Sequence, residues 1–396
     1  FLCLFYATSI IAGENADSSA SFYTLRQCVD IAIKNNIQLK QTALNIESSE
    51  VSLRSAREAL YPNVNANASG TMSRGLAVNP VTNTIQDQTI FSNNFQITGN
   101  LTLFNNFRLH SVISQNSTLK EATKYEYKDA EYTLTLNVIN AYLQMLFNKE
   151  LLKVAQNQVE LTDMQLQRTQ RLVNAGTLAE GNLYDIRSQK AANELNVANN
   201  QSQLNIAKLN LLQLMNLPLG DNTLKDFDIE APLVSLDSTE KEDSPFEIYK
   251  TAEKQQPIIK GGELRIRSSN WSIRAAEANK YPRLTLSASV FTLYSSAAQR
   301  RIGSRSLVVP FGYTSTDNGA TPLDIVYIPQ TIPVTGAYPY AEQLKNNFSQ
   351  NISLNLIIPI YGNYQARAAV QNARITKKSA ELTLESNKVQ LRNRIE

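Results

Sequence analysis

Four segments of the chain alternate between apolar and polar residues with a period of two, which predicts β-strands with two chemically different faces. We predict these strands at residues 62–72, 91–104, 282–292 and 347–360. The polar positions that we select on these strands are Asn63, Asn65, Asn67, Gln96, Thr98, Asn100, Thr285, Ser287, Asn351, Ser353 and Asn355. A sheet of this kind has one face suited to water and one face suited to apolar surroundings.

Long helical segments lie beside the strands. Residues 105–173 contain neither Gly nor Pro, and apolar residues such as Val138, Tyr142 and Met145 recur at helical spacing. At 1.5 Å per residue, a helix of this length is roughly 100 Å long. It ends in the sequence VNAGTLAEGN, and a return helix at residues 182–216 follows. A coiled coil or a cytoskeletal rod has the same periodicity, but neither needs the alternating strands.

Two parts of the chain repeat one another. LRSAREALYPNV matches SIRAAEANKYPRL, which aligns Arg54 with Arg274, and FNNFRLHSVI matches YGNYQARAAV, which aligns Phe104 with Tyr361. Each copy predicts the order helix, strand, loop, strand, helix. Because the first copy continues into a return helix, we expect the second long helix and its hairpin tip to extend beyond the chain given.

The repeats define a predicted domain organisation. The first repeat, residues 22–216, has a helix at 24–60, strands at 62–72 and 91–104, the long helix at 105–173 and the return helix at 182–216. Residues 217–247 form a linker. The second repeat, residues 248–396, has a helix at 257–280, strands at 282–292 and 347–360, and a helix at 362–396.

The number of strands predicts an assembly. Each strand is long enough to cross a bilayer, and open sheet edges cannot face lipid, because every unpaired N–H or C=O group there costs several kcal/mol. Four strands cannot enclose a water-filled pore. Two copies would give a barrel filled by side chains, and three copies give twelve strands with an open interior. We therefore predict a homotrimer whose shared barrel has the selected polar residues facing its lumen.

The helix-to-strand junctions carry Tyr-Pro in both copies, as Tyr61–Pro62 and Tyr281–Pro282. Pro ends a helix and suits the first position of a strand, and Tyr is enriched at membrane interfaces. We therefore place these junctions at the membrane surface. The strand connections, residues 73–90 and 299–346, are then loops that face outward. The arginines of QRRIGSRS lie in the second loop, where they either contact lipopolysaccharide phosphates or are solvated.

Composition narrows the possible functions. The net charge is +3 with 18% charged residues, which is too balanced for a nucleic-acid-binding protein. His110 is the one histidine, and the sequence has no HExxH, no Walker A motif and no methionine cluster, so we expect no enzyme activity, metal or cofactor. The opening FLCLFYATSIIAG has the apolar core of a secretion signal, so we assign residues 1–20 to a signal-peptide remnant or disordered N-terminus. A buried N-terminal helix and lipidation at Cys3 stay open.

Three motifs occur in a fixed order along the chain. They are TLRQCVDIAIKNNIQLK (residues 24–40), QRLVNAGTLAEGNLYDIRSQ (residues 170–189) and a weaker echo of the first, QQPIIKGGEL, which ends at Leu264. With the duplication and the helix lengths, they resemble the TolC family of outer-membrane efflux and secretion channels. The resemblance implies a mostly α fold with a membrane β-barrel portion, in which a trimeric twelve-stranded barrel continues into a long periplasmic α-helical barrel. It also implies that residues 217–247 form an equatorial belt around the helical barrel.

The resemblance also implies a function. The chain would be the outer-membrane channel component of a tripartite efflux system, a passive duct for small molecules in a Gram-negative-type bacterium. It would contact outer-membrane lipid, a periplasmic adaptor protein and an inner-membrane pump, and no nucleic acid. The tip residues implied to dock the adaptor are Asn174, Ala175, Gly176, Thr177, Leu178 and Glu180. For each of them the alternative is a turn that only closes the hairpin. For the chain, the alternatives are the exit duct of a type I protein secretion system and, more remotely, a structural or adhesive surface stalk.

Overall fold

The computed structural model describes residues 21–78, 85–217, 226–231, 244–314 and 324–396. The predicted signal segment, residues 1–20, and most of the predicted linker lie outside these ranges. By its internal contacts, the chain divides into two compact units. Of the described residues, those within Phe1–Leu53, Asn116–Ser269 and Thr376–Glu396 form the helical unit, and those within Arg54–Gln115 and Asn270–Ile375 form the sheet unit. Both units contain parts of both predicted repeats, and the division into repeats stays a prediction.

The described helices and strands give the following order. The helices are α1 (Leu25–Asn35), α2 (Ile37–Glu58), α3 (Arg108–Asn174), α4 (Glu180–Met215), α5 (Pro245–Gln255), α6 (Pro257–Glu277), α7 (Tyr340–Asn346) and α8 (Gln365–Ile395). The strands are β1 (Ser21–Tyr23), β2 (Asn63–Val78), β3 (Ile85–Phe104), β4 (Phe227–Ile229), β5 (Arg283–Ser295), β6 (Gln299–Thr314), β7 (Asp324–Ala337) and β8 (Ser349–Ile357). Within the described ranges, none of the helices combines the length and the apolar character needed to cross a membrane.

The helix predicted at residues 24–60 is two helices, which corrects the sequence-based expectation. Asn36 leaves the helical conformation, with ψ at 124°. Its side-chain oxygen accepts a hydrogen bond from the Leu39 backbone N–H (3.1 Å), and its amide nitrogen donates to the Leu214 carbonyl (3.0 Å). Asn36 therefore caps α2 and ties this break to the end of α4, which a continuous helix would not do.

The core of the helical unit lies where α1, α3 and α4 pack together. Its fully or almost fully buried side chains come from each of these helices and from β4: Cys28, Ala32, Val138, Tyr142, Met145, Leu211, Leu212, Met215 and Ile229. The α3 members recur at three- or four-residue spacing, so one stripe of that helix is buried. The same helix leaves large apolar side chains uncovered, among them Phe147 and Val154, which are 57% and 63% exposed.

A small parallel sheet lies against this core. β1 pairs with β4, with Phe22 opposite Asp228. The Tyr142 hydroxyl donates to the Tyr23 carbonyl (3.2 Å) and the Glu230 carbonyl, and Lys149 Nζ lies 2.7 Å from the Asp228 carboxylate. The predicted linker therefore contains a strand that the sequence pattern did not reveal, since three residues are too few to show a period.

The sheet unit contains a four-stranded antiparallel sheet in the order β2-β3-β5-β8. β2 and β3 form a hairpin in which Asn63 lies opposite Asn100 and Val78 opposite Ile85. β3 pairs with β5, so strands from the two predicted repeats are neighbours. β8 pairs with β5 on its other side. Within the described residues, β2 and β8 are the edges of this sheet.

The predicted loops are largely strand. Because β2 extends to Val78 and β3 begins at Ile85, most of residues 73–90 is paired rather than looped. The predicted loop at 299–346 contains the β6–β7 hairpin, followed by α7. The hairpin contains three prolines, Pro310, Pro329 and Pro333, and proline is uncommon in the middle of a sheet. In a two-stranded ribbon, however, each strand has one unpaired edge, where the missing N–H of a proline breaks no ladder bond.

Candidate functional site

The strand register brings the selected polar residues onto one face of the sheet. Asn63, Asn100, Ser287 and Ser353 stand opposite one another in one row across all four strands, and the Ser287 hydroxyl lies 2.8 Å from the Asn100 side-chain oxygen. The remaining members stand in the neighbouring rows: Asn65 opposite Thr98, Asn67 opposite Gln96, Asn351 opposite Ser289, and Asn355 opposite Thr285. The face is therefore polar over most of its area.

The alternation fails at one end of the sheet. Phe291 lies opposite Gln96 and Ser349, so an aromatic ring occupies the polar face there. Gln350 lies opposite Val290, on the other face. The polar surface is therefore continuous toward the helix end of the sheet and interrupted at the hairpin end.

The opposite face is apolar and uncovered. Val64, Gly99, Ala288 and Ile352 form one row of it, and Leu101, Leu286 and Leu354 form another. Val64, Ile352 and Leu354 are 64%, 78% and 61% exposed. A contiguous exposed apolar surface of this kind is typical of a face that contacts lipid or another protein.

The Tyr-Pro pairs lie at helix-to-strand junctions, and the strands begin one residue later than predicted; the position of these junctions at a membrane surface stays a prediction. Pro62 and Pro282 immediately precede the first residues of β2 and β5. The Tyr61 N–H donates to the Glu58 carbonyl (2.9 Å) and the Tyr281 N–H to the Ala278 carbonyl (3.2 Å), so each tyrosine closes the last turn before the strand. Both tyrosine side chains are more than half exposed.

The opposite junctions, from strand to helix, have a conformation that sequence reasoning missed. Asn106 and Phe107 have φ values of 50° and 57°, and the aligned residues Asn363 and Tyr364 have 45° and 64°. Two successive positive φ values are the signature of a type I′ turn. In each turn the first carbonyl accepts from the N–H three residues later, that of Arg108 (3.1 Å) in the first turn. The asparagines in these two turns could have indicated them from the sequence, because Asn adopts positive φ values more readily than most residues.

The hairpin tip between α3 and α4 has a Schellman motif. Gly176 has φ 73°, and its N–H donates to the Val173 carbonyl (3.0 Å). The Thr177 N–H and hydroxyl both donate to the Leu172 carbonyl, at 3.0 and 2.8 Å. These bonds satisfy carbonyls that the helix end leaves free. A Cβ at Gly176 would meet nothing within 4 Å, so the backbone angle, and not a lack of space, favours glycine here.

The six selected tip residues lie together on this turn and are all exposed. Asn174 ends α3, where its side-chain oxygen accepts from Gln170 (2.9 Å), and Glu180 begins α4, where its charge suits the helix N-terminus. The turn thus presents a small surface with one large apolar side chain, Leu178, which is 38% exposed. Their role in docking stays a prediction.

The described residues show no candidate metal-binding site. No group of three or more of their His, Cys, Asp or Glu side chains could hold a metal ion. The His110 side chain is exposed, and its ring stacks edge-on against Phe107 with 5.9 Å between centroids.

The long antiparallel helices and the two-faced four-stranded sheet define the class of this chain by its fold, which is that of outer-membrane channels. Residues 28–217 match the family model described as "Outer membrane efflux protein", which confirms the resemblance stated from the sequence. That family consists of channel components and is not an enzyme family.

Two named relatives and one solved structure are also similar to this chain. The chain is 25% identical over 272 residues to the toluene efflux pump outer membrane protein TtgF of Pseudomonas putida, and equally to the probable efflux pump outer membrane protein SepC of another strain of the same species. Each match covers 68% of this chain and 54% of the relative, so the chain spans about half the length of these relatives. The fold is that of the Campylobacter jejuni CmeC outer membrane channel, with a TM-score of 0.70 at 16% identity over 98% of this chain and 76% of CmeC.

Proposed function

We propose that this chain is the outer-membrane channel component of a tripartite efflux system, located in the outer membrane and extending into the periplasm. The observation that carries the proposal is the four-stranded sheet with one polar face, one exposed apolar face and two edges, β2 and β8, without partner strands in the described structure. The apolar face suits lipid and the polar face suits water, which together describe one segment of a membrane barrel wall.

The open edges support a homotrimer. In lipid, the N–H and C=O groups along β2 and β8 must be paired, and the available partner strand is an edge of another copy. Three copies supply twelve strands, which enclose a water-filled interior, whereas two copies supply eight, whose interior side chains would fill. The exposed apolar side chains along α3 would pack against neighbouring protomers in the same assembly.

The proposed role is passive transport of small molecules. The family of channel components supports the further proposal that the chain catalyses no reaction, so that export is driven by an inner-membrane pump. The names of TtgF and SepC, both efflux pump proteins, favour efflux over protein secretion. A structural stalk does not need a sheet that is polar on one face and apolar on the other, so this alternative is not favoured.

The first experiment is the mass of the full-length protein in mild detergent, corrected for bound detergent. We expect a mass of three protomers, and a stable monomer would overturn the shared barrel. A matched pair of substitutions on β8 sharpens this test. Leu354→Arg places a charge on the proposed lipid face and should cost about 2–4 kcal/mol and prevent stable insertion, whereas Ser353→Arg places it toward water and should be tolerated. Equal tolerance of both variants would contradict the assignment of the two faces.

A further inference from the structure

A cavity of about 540 Å³ lies in the sheet unit where the strands meet the helices. Its lining includes Thr102 and Thr285, which are opposite each other on the polar face. Arg283 is two residues before Thr285 on the same strand and therefore shares that face. The cavity thus lies on the polar face of the sheet, at its helix end.

The cavity has an unbalanced charge. Arg108 and Arg283 line it, and no Asp or Glu does. Neither guanidinium forms a salt bridge in the described part of the chain, although several other arginines do: Arg265 pairs with Glu126, and Arg374 with Glu277. Two guanidinium groups without a carboxylate in one concave wall are an arrangement that recognises oxyanions, because their N–H groups form charge-assisted hydrogen bonds.

The rest of the lining suits the same ligand. Asn105, Asn279 and Gln365, which carry amide side chains, and Tyr281 also line the cavity. α3 and α8 begin at Arg108 and Gln365, so the N-terminal ends of two long helices also border the cavity and add positive potential. The site rests on the two arginines, and the helix ends only strengthen it.

We infer that this cavity binds the carboxylate or phosphate group of a solute and makes the channel selective for anions. The inference rests on the proposed function, because it takes the polar face to line the duct. In a homotrimer the cavity would occur three times at one level of the duct. The low-dielectric walls would focus the positive potential there and raise the local concentration of anions.

The test combines conduction and binding, and both use the full-length protein. In planar bilayers with a potassium chloride gradient, the wild-type channel should pass chloride in preference to potassium. The double variant R108Q/R283Q should lower that permeability ratio about threefold or more. R108K/R283K keeps the charge and should keep the selectivity. R54Q/R57Q removes the same charge from α2, outside the cavity, and is the matched control.

Calorimetric titration of detergent-solubilised protein with inorganic phosphate tests the cavity without requiring conduction. We expect wild type and R54Q/R57Q to bind phosphate equally, and R108Q/R283Q to bind at least about tenfold more weakly. Circular dichroism of each variant verifies the fold. If the wild-type protein does not conduct ions, the proposed function as a duct is wrong. Normal conduction with unchanged selectivity in R108Q/R283Q, or phosphate binding that is absent or equal in all variants, would overturn the anion site alone.

Discussion

At the scale of single residues, Gln343 shows how one side chain can replace a missing strand. It is 1% exposed, and its amide oxygen accepts from the Ser295 N–H (3.0 Å) while its amide nitrogen donates to the Ser295 carbonyl (3.1 Å). A second acceptor, the Tyr338 carbonyl, lies 2.8 Å from the same nitrogen. β8 ends its pairing with β5 at Phe291, so Gln343 satisfies the backbone of β5 beyond the ladder.

We predict that Gln343→Ala will release α7 from β5. The substitution leaves the half-buried Ser295 N–H without its partner and removes one of the two donors to the Ser295 carbonyl, which the Ala298 N–H still reaches at 3.1 Å, so it should cost about 1–2 kcal/mol. Hydrogen–deuterium exchange should show faster exchange at Ser295 and through Tyr340–Asn346. Gln350→Ala, an exposed glutamine on the neighbouring strand, is the control and should leave both segments unchanged. Equal protection in Gln343→Ala and wild type would show that the amide contacts do not anchor α7.

The packing around Gly262 explains why a glycine lies within a helix, which the sequence alone does not explain. Two adjacent glycines near the start of α6 weaken a helix, since each costs about 1 kcal/mol relative to alanine. A Cβ at Gly262 would lie 2.8 Å from Leu384 Cδ1 on α8, and one at Gly261 would lie 3.5 Å from Tyr125 Cβ on α3. Gly262 therefore allows α6 to approach α8 closely, whereas a Cβ at Gly261 would make only an ordinary van der Waals contact, so nothing in the structure explains that glycine.

At the scale of elements, α3 and α4 are joined by polar contacts as well as by apolar ones. The buried Thr162 hydroxyl accepts from the Asn193 amide (2.8 Å), and Lys190 Nζ lies 2.5 Å from the Asp163 carboxylate. The hydrogen bond from Lys190, helped by its charge, lowers the pKa of Asp163. These contacts fix the register of the two helices over the half of the hairpin nearest the tip.

The lowered pKa predicts a pH dependence of this hairpin. The Asp163 carboxyl binds its proton less tightly in the folded protein than in the unfolded chain. The Asp163–Lys190 pair therefore stabilises the hairpin at pH values above the ordinary aspartate pKa. The contribution is lost as the pH falls through the lowered pKa. We expect Lys190→Ala to increase hydrogen–deuterium exchange around Asp163 at pH 6, and we expect this difference to shrink progressively as the pH is lowered below the ordinary aspartate pKa of about 3.9. Lys153→Ala, on α3, is the control, and a difference for Lys190→Ala that does not shrink at acidic pH would contradict the ion-pair explanation.

At the scale of the whole molecule, the proposed duct needs contact with an adaptor, and the Schellman turn is the candidate surface. The turn is fixed by backbone hydrogen bonds, so its shape does not depend on a partner. Leu178 is the large apolar side chain that the turn presents. A preformed surface with one large apolar contact suits docking with little loss of conformational entropy.

We predict that Leu178→Arg will abolish transport in cells while the protein remains an assembled trimer in the outer membrane. An uncompensated charge in a docking interface opposes binding. Crosslinking from this position to the adaptor should disappear together with transport. Gln189→Arg, exposed on α4 away from the turn, should retain both. Loss of the trimer itself in Leu178→Arg would defeat the docking hypothesis, because the tip would then serve assembly.

Tertiary structure also decided features that no local pattern contains. The sequence pattern ended the first strand near residue 72, yet β2 continues to Val78, because pairing with β3 satisfies its backbone even where the side chains stop alternating. Pairing of β3 with β5 brings the two predicted repeats side by side. Arg108 and Arg283 enter one cavity only through that pairing, and their separation in the sequence gives no sign of it.

The sequence by itself determined the faces of the strands and the lengths of the long helices. Both are local properties: a period of two assigns each side chain to a face, and the absence of Gly and Pro lets a helix continue. Only the tertiary structure decided the order of the strands, the break at Asn36, the β1–β4 pair and the anchoring of α7 by Gln343. Each of these depends on hydrogen bonds between groups far apart in the chain, and such bonds leave no periodic trace in the sequence.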